Sequence, residues 1–352
     1  MQIALASGPF QPVLAGVIKR IHRPLLSWLA TATLVGSLTA ATTESAALPE
    51  PALQRDARGL FQAAPPSPAT VVRYTLDGKD PTKDAGVLLS PVEVPSGYTL
   101  KARTFSADSS TQSTVATFAA PAGGTRPPST VVPVTQNRDW RTYDWAQRHA
   151  ACAALMRERQ PEIVMLGDSI THFWGGDPVG GRRTGPDVWD RVFAGRTVVN
   201  LGYGWDRTEN VLWRLTHGEF ENARPKVVVA MIGTNNIGLN TADEIAAGVE
   251  AICAEIHRRS AGTRILLLSI FPRGAKPDLA RTRVNDVNER LAKLDGRLGI
   301  TYLDIGSRFL EADGTISKEI MYDFLHPSAK GYTIWADAME PTLQRLLHEA
   351  KP

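Results

Sequence analysis

The feature that most constrains the fold is a repeated alternation, after Pro133, of short apolar runs and helical segments. Continuous apolar runs of four to six residues are typical of parallel strands that are covered on both faces. The predicted strands are 163–166, 198–201, 227–232, 265–270 and 300–303. The predicted helices between and after them are 208–217, 242–259, 284–298 and 329–347, with Thr241 and Glu244 placed as a capping box. Alternating βα units predict a doubly wound parallel sheet, whose ligand site lies outside the carboxyl ends of the strands.

A second, smaller unit precedes this pattern. Residues 48–68 are rich in Pro and Ala, and residues 121–133 are rich in Pro, Gly and Thr, so both stretches are predicted to be linkers. Between them, a β-prone run at 71–76 ends at the turn signal Asp77-Gly78, and residues 98–105 alternate apolar with polar side chains. This pattern predicts a small all-β, sandwich-like module over residues 69–120.

The same module carries a family resemblance. The string 74–82, YTLDGKDPT, and the later string 101–105, KARTF, resemble the chitobiase/β-hexosaminidase C-terminal-like module, which is attached to secreted carbohydrate enzymes. The resemblance implies a spacer or packing domain, with direct sugar binding as the alternative.

The N-terminus has the order of a secretory signal. Basic residues at 19–23 precede an apolar stretch at 25–41, and small residues follow at 39–41 and 45–47. We expect residues 1–47 to be a signal peptide that is removed on export, which leaves a secreted or periplasmic protein that does not associate with a membrane. The alternative is an uncleaved anchor, although the stretch is shorter than the roughly 20 residues of a membrane span.

Charge and cysteine content exclude several classes of function. The net charge of +3 comes from interleaved acidic and basic residues without a basic run, so nucleic acid is not expected as a partner. Two cysteines, Cys152 and Cys253, are too few for a disulfide framework or a metal cluster. They could pair with each other or remain two separate buried thiols.

Neither a metal nor a nucleotide cofactor is expected. His149, His217 and His257 have no second ligand at metal-binding spacing. Gly202 and Gly204 begin like a dinucleotide fingerprint, but its sixth position is Arg207, where a small residue is needed to pack the helix on the strand.

Polar motifs follow the strands where the sheet should bind its ligand. Ser169 lies in a Gly-Asp-Ser turn directly after the first strand, and Asp323 and His326 are separated by two residues ahead of Pro327. A serine hydroxyl needs a base to activate it and a third group to orient that base, and Asp323 and His326 are suited to these tasks. The loops at 202–206 and 233–236 offer backbone N–H groups and an Asn side chain that could stabilise an oxyanion.

Four blocks result, numbered here in chain order: 167–169, 202–206, 233–236 and 323–326. In order and approximate spacing they resemble those of the SGNH (GDSL) hydrolases. The strings 206–215, 225–227, 271–277 and 322–326 are similar to the catalytic subunits of intracellular platelet-activating-factor acetylhydrolase and their bacterial relatives. The resemblance covers about residue 145 to the C-terminus. It implies Ser169 as nucleophile, His326 as general base and Asp323 as its orienting partner. It also implies an oxyanion hole made by the Ser169 N–H, a second-block N–H and Asn235.

One position departs from the family pattern. The second-block donor is usually a glycine just before the Asp, whereas here that position is Trp205 and Gly204 precedes it. Either N–H could be the donor, and we expect the Trp205 side chain to shape the substrate pocket. Trp174 could likewise line that pocket by stacking on a sugar, with core packing as the alternative, and His172 is expected at the rim.

The prediction for the whole chain is an α/β, flavodoxin-like hydrolase domain over 134–352 behind an exported β module. We expect a secreted serine esterase that removes short acyl groups, acetyl in particular, from an oligosaccharide or small-molecule ester. Alternatives are an acetylhydrolase acting on phospholipid and a non-catalytic carbohydrate-binding protein with a retained hydrolase fold. The oligomeric state stays open.

Overall fold

The computed structural model of the protein describes residues 47–350. The predicted signal peptide, except for its last residue, lies outside the described residues. Between Ala47 and Ala350, none of the helices combines the length and apolar character needed to cross a bilayer.

A five-stranded parallel sheet forms the centre of the C-terminal region. Its strands are β7 (Ile163–Gly167), β8 (Val198–Gly202), β9 (Val227–Met231), β10 (Arg264–Leu268) and β11 (Ile300–Leu303). They are ordered β8-β7-β9-β10-β11 and every pairing is parallel. This is the flavodoxin-like order, in which the direction of winding reverses between the first and third strands. The predicted fold class is confirmed, and the reversal places the ends of β7 and β9 side by side.

Helices cover both faces of this sheet. They are α1 (Trp145–Arg159), α2 (Ser169–His172), α3 (Pro186–Val192), α4 (Thr208–Arg214), α5 (Ala242–Arg259), α6 (Leu279–Leu291) and α7 (Ala329–Glu349). The predicted capping box of α5 is present: the Thr241 hydroxyl accepts from the Glu244 N–H, and the Glu244 carboxylate accepts from the Thr241 N–H.

Two predicted helices have different bounds. The helix predicted at 284–298 begins earlier, because the Asp278 carboxylate accepts from the Arg281 N–H and caps α6, which ends at Leu291. The helix predicted at 208–217 ends at Arg214 and continues as a wide turn, Leu215–Glu219, in which Gly218 has a φ of +110°.

Side chains alternate between two apolar cores. Along β7, Val164 and Leu166 face the core shared with α1, α4, α5 and α6, whereas Ile163 and Met165 face the core shared with α3 and α7. The alternation follows from the two-residue period of a strand. Cys152 and Cys253 are buried and unpaired in the first core, so the alternative that they form a disulfide is wrong.

The N-terminal unit is all-β. Its strands are β1 (Gln54–Arg55), β2 (Phe61–Gln62), β3 (Thr70–Thr75), β4 (Gly86–Val87), β5 (Thr99–Ser106) and β6 (Gln112–Ala119). The last four form an antiparallel sheet ordered β4-β3-β5-β6, and the first two form a hairpin. That hairpin lies inside the predicted linker 48–68. Phe61 and Ala63 are buried in the core of the module, and their apolar side chains explain why this stretch is ordered.

The chain that leaves the module stays in contact with it. Residues around Gln136 pair with Ala85 as an isolated antiparallel bridge, and the Thr135 hydroxyl donates to the Val87 carbonyl. The Asn137 amide donates to the Lys83 carbonyl. This connecting segment, defined here as residues 134–143, is therefore held by the β module on one side, and it contacts the active site on the other, as described next.

Candidate active site

Ser169 lies where the sheet topology predicts the ligand site. It follows β7 at once and begins the short helix α2, whose N-cap is Asp168. The Asp168 carboxylate accepts from the Ile170 N–H at 2.9 Å, which fixes the turn. The serine is therefore presented at the carboxyl edge of the sheet, beside the strand-order reversal.

Asp323 and His326 meet Ser169 in hydrogen-bonding geometry. The His326 Nε2 atom lies 2.8 Å from the Ser169 Oγ atom, and the His326 Nδ1 atom lies 2.7 Å from the Asp323 Oδ2 atom. The second Asp323 oxygen accepts from the backbone N–H groups of Leu325 and His326, at 3.2 and 2.8 Å. The sequence-predicted nucleophile, base and orienting group are thus brought together.

The electrostatics of this turn keep the Asp323 carboxylate ionised. Partial burial favours the neutral acid, but the hydrogen bonds from the His326 backbone and imidazole outweigh it and lower the pKa of Asp323. The ionised carboxylate accepts from Nδ1–H, which leaves the Nε2 lone pair for the serine hydroxyl. The imidazole is also flanked by two aromatic rings, Phe173 at 5.1 Å and Tyr322 at 5.9 Å between centroids.

The loop after β8 presents one free backbone donor. Residues 203–206 are called the oxyanion loop here. Three of their N–H groups have acceptors. The Tyr203 N–H donates to the Gly167 carbonyl, the Gly204 N–H to the His172 Nδ1 atom, and the Asp206 N–H to the Tyr203 carbonyl. Within residues 47–350, the Trp205 N–H has no acceptor.

This pattern separates the two predicted second-block donors. The Gly204 N–H is directed at His172 at 3.3 Å, so the prediction of Gly204 as an oxyanion donor is wrong. His172 is buried rather than at the rim. Its burial, with the nearby Arg148 and Arg214 charges, lowers its pKa well below the usual value, and the neutral ring can accept from Gly204. Trp205 remains as the second-block candidate.

The third block places Asn235 next to the same loop. Asn235 lies in a turn after β9, and its amide donates to the Asp206 carbonyl at 2.9 Å, with its second N–H left for a ligand. Gly233 before it has a φ of +125°, and a Cβ there would come within 2.8 Å of the Ile270 side chain. The turn therefore requires glycine at this position. The Arg273 guanidinium donates to the carbonyl and hydroxyl of Thr234 and holds the turn from outside.

The two tryptophans predicted for the substrate pocket differ. Trp174 is fully buried and packs against Trp189, Tyr332 and Trp335, so its predicted place in the pocket is wrong and the core-packing alternative holds. Trp205 is 52% exposed, and its ring is free to meet a substrate. The difference arises because Trp174, two residues after α2, packs in the core between residues of α3 and α7.

Several contacts to the oxyanion loop were not predicted from the sequence. Gln136 and Tyr143 donate to the Gly204 carbonyl, and Arg138 donates to the Trp205 carbonyl. Below the loop, the buried Arg214 forms ion pairs with Asp206 and Glu219. Gln136, Arg138 and Tyr143 lie in no motif of the sequence, because each acts on a carbonyl that only the fold brings near. Arg214 and Asp206 lie in the family-like string 206–215, but their ion pair was not predicted.

The described residues contain no cluster of three or more His, Cys, Asp or Glu side chains placed to bind a metal.

Comparison with known proteins identifies the family. The model of the GDSL-like lipase/acylhydrolase family matches residues 165–334, and the model described as Fn3 associated matches residues 66–119. The second match covers most of the predicted β module, whose resemblance to the chitobiase-like module stays a prediction.

Relatives share much of the catalytic region. The human platelet-activating factor acetylhydrolase IB subunit alpha1 is 37% identical over 204 residues, which are 58% of this chain and 84% of that protein. The rat alpha2 subunit is 34% identical over 206 residues, 58% and 86% of the two chains. Among solved structures, an acetylxylan esterase from Geobacillus stearothermophilus has 22% identity and a TM-score of 0.44, and the match covers 53% of this chain and 94% of that one. The chain belongs to the GDSL-like lipase/acylhydrolase family and is an SGNH serine ester hydrolase.

Proposed function

We propose that the protein is an exported acetylesterase in which Ser169, His326 and Asp323 act as a catalytic triad. The observation that carries this proposal is the chain of two short contacts from Ser169 Oγ through the imidazole to Asp323, 2.8 and 2.7 Å long. As Ser169 attacks the ester carbonyl, His326 takes its proton and later gives it to the leaving alkoxide, which forms an acyl-enzyme. Water, activated by the same imidazole, then releases the carboxylic acid.

The tetrahedral oxyanion is stabilised by three donors. These are the N–H groups of Ser169 and Trp205 and the second amide N–H of Asn235. The Ser169 and Trp205 N–H groups have no acceptor within residues 47–350. Donors that are already fixed need no rearrangement when charge develops on the oxygen, which is the main source of their effect on the barrier.

For the leaving group, we favour an acetylated carbohydrate. Two features support this choice: the exposed Trp205 ring on the oxyanion loop, and the β module that contacts the segment bordering the site. The predicted signal peptide and the chitobiase-like resemblance of the module point to an extracellular polysaccharide as the source of such esters. The expected location is secreted or periplasmic.

A second candidate is the hydrolysis of acetylated phospholipid. The observation that favours it is the 37% identity to a subunit named as a platelet-activating factor acetylhydrolase. The same three residues would perform the reaction, so the two candidates differ only in the group that leaves.

The first experiment measures hydrolysis of p-nitrophenyl acetate, an acetylated xylo-oligosaccharide and an acetylated ether phospholipid by the mature protein. Ser169→Ala should lower kcat/KM by about 10⁴-fold or more, because the attacking oxygen is lost. Ser90→Ala is a matched control, since Ser90 also lies 3.0 Å from a histidine Nε2, that of His217, but belongs to the β module.

The substrate pattern decides between the candidates. Ser169-dependent turnover of the xylo-oligosaccharide but not the phospholipid supports the carbohydrate proposal, and the reverse pattern supports the second candidate. A folded protein that binds sugar without any Ser169-dependent turnover would contradict both and favour a carbohydrate-binding protein.

A further inference from the structure

The oxyanion loop has a turn geometry that its own sequence disfavours. The Asp206 N–H donates to the Tyr203 carbonyl at 3.2 Å, which closes a four-residue turn with Gly204 and Trp205 at its centre. Trp205, the third residue of the turn, has a φ of +62°, whereas Gly204 lies outside the left-handed region. A positive φ at the third position is typical of a type II turn, which normally has glycine or asparagine there. Tryptophan therefore adopts a backbone conformation that is energetically unfavourable for a residue with a Cβ atom.

The central peptide of this turn determines where the Trp205 N–H points. Type I and type II turns differ mainly by a flip of the peptide between their second and third residues, which here joins Gly204 to Trp205. This peptide is trans, so its C=O and its N–H point in opposite directions. Any group that holds the Gly204 carbonyl therefore also fixes the direction of the Trp205 N–H.

Two side chains hold that carbonyl. The Gln136 Nε2 atom and the Tyr143 hydroxyl both donate to the Gly204 oxygen at 2.9 Å. Burial, together with the nearby Asp206 charge, raises the pKa of Tyr143, so its hydroxyl keeps its proton and remains a donor. The next carbonyl of the loop, that of Trp205, accepts from the Arg138 guanidinium at 2.9 Å. The peptides on both sides of Trp205 are thus anchored by the connecting segment.

We infer that Gln136 and Tyr143 are positioning residues for catalysis, which lock the Gly204–Trp205 peptide so that the Trp205 N–H faces the reacting carbonyl. In many turns of this type a glycine makes the geometry favourable by itself. In this chain the connecting segment takes over that task. Without its two hydrogen bonds the peptide would flip toward the type I form that tryptophan prefers, and the oxyanion would lose a donor.

This inference rests on the proposed function, and the same ester assay tests it. Tyr143→Phe removes the hydroxyl and its hydrogen bond to the Gly204 carbonyl. It keeps the ring that packs edge-on to His172. From the net free-energy contribution of one hydrogen bond, we expect kcat for p-nitrophenyl acetate to decrease by about fivefold. KM should stay unchanged, because the donor acts on the oxyanion more than on the bound ester.

Tyr98→Phe provides a matched control. Its hydroxyl also donates to a backbone carbonyl, that of Pro127 at 2.9 Å, but in the β module. Both variants should lose a similar amount of thermal stability, but kcat should decrease only in Tyr143→Phe.

A second comparison separates positioning from general loosening of the structure. In a Trp205→Gly variant, glycine makes the turn favourable without the hydrogen bonds from Gln136 and Tyr143. Adding Tyr143→Phe to that variant should therefore lower kcat by less than about twofold relative to Trp205→Gly alone. If Tyr143→Phe does not fold, Gln136→Met removes the other donor at similar side-chain length and is compared in the same two backgrounds.

The outcomes are distinct from those that test the ester hydrolase itself. A wild-type kcat in Tyr143→Phe, or an equal loss in both backgrounds, would overturn the inference while Ser169-dependent turnover still supports the proposed function. Absence of Ser169-dependent turnover in the wild-type protein would overturn both.

Discussion

Two turns at the active site each hold a bulky residue in the left-handed region, but they are stabilised in different ways. In the turn 323–326, Phe324 has a φ of +64°, and in the oxyanion loop Trp205 has a φ of +62°. Strained backbone of this kind persists only where the surroundings fix it, and it occurs often at functional sites. The active site thus contains two turns with the same unfavourable φ, and each turn is held in place by different contacts.

The first turn is stabilised mainly from within. The Asp323 carboxylate accepts from the N–H groups of Leu325 and His326, two and three residues later, and the Phe324 N–H donates to the Met321 carbonyl. Among these contacts to the turn's backbone, one hydrogen bond comes from far away in the chain, from the Gly274 N–H to the Phe324 carbonyl. The group that orients the histidine therefore also builds the turn that carries the histidine.

The second turn depends on distant residues. The donors to the carbonyls of Gly204 and Trp205 lie 61 to 68 positions earlier in the chain, in the connecting segment that follows the β module. The geometry of the oxyanion loop is consequently tied to the packing of a segment outside the catalytic sheet. Substitutions should therefore affect the two turns differently.

The largest effect is expected from the self-contained turn. Asp323→Asn should lower kcat by about 10⁴-fold, because an amide cannot stabilise the tautomer and the positive charge of the imidazole as a carboxylate does. Asp313→Asn is a matched control, since Asp313 accepts from an N–H two residues later in an exposed turn away from the site. A change of less than tenfold in Asp323→Asn, measured on p-nitrophenyl acetate, would contradict the assigned role of Asp323.

A smaller effect is expected from the third block, which borders the oxyanion loop. Asn235→Ala removes a donor to the oxyanion and the contact to the Asp206 carbonyl, and should lower kcat by about 10²- to 10³-fold with little change in KM. Asn240→Ala is the control, because its amide donates to Ser129 and Glu244 instead. An equal loss of kcat in both variants would show that the effect is one of stability.

The difference between the turns also explains what the sequence could predict. Ser169 can be identified because it stands in a short motif directly after a predicted strand, and Asp323 and His326 because they are two residues apart ahead of Pro327. The five apolar runs predict the sheet. Information of this kind is local, since strand periodicity and a two-residue spacing are visible in the chain itself.

The predictions that went wrong depended on packing. The nearness of Trp174 to Ser169 in the sequence predicts a place in the pocket, but Trp174 is buried against aromatic side chains of α3 and α7. Gly204 is a predicted donor to the oxyanion, but in the structure its N–H donates to His172. The role of Gln136 and Tyr143 could not be predicted, because a glutamine and a tyrosine far from any motif show no sign of which carbonyl they will meet.

A third turn, which carries the nucleophile, gives a smaller expected effect than the other two predictions of this comparison, and the effect is on stability. Asp168 is buried beside Ser169 and one of its oxygens has no partner within residues 47–350. Burial, with the Asp206 charge adding to it, raises the pKa of Asp168 from 3.8 to about 7. The folded state thus holds a proton that the unfolded chain releases near pH 4, so this group lowers the free energy of unfolding as the pH rises from 4 to 7.

Asp168→Asn removes that titration and keeps an oxygen that can accept from the Ile170 N–H. The variant should therefore gain stability relative to the wild type as the pH rises from 5 to 8, by about 2–3 kcal/mol at roughly 1.4 kcal/mol per unit of pKa shift. Urea unfolding of both proteins at the two pH values measures this difference directly. If the difference in unfolding free energy is the same at pH 5 and pH 8, Asp168 is ionised throughout, and its charge must be balanced by groups such as Arg273. In that case the nucleophile turn, like the oxyanion loop, would depend on a residue far away in the sequence.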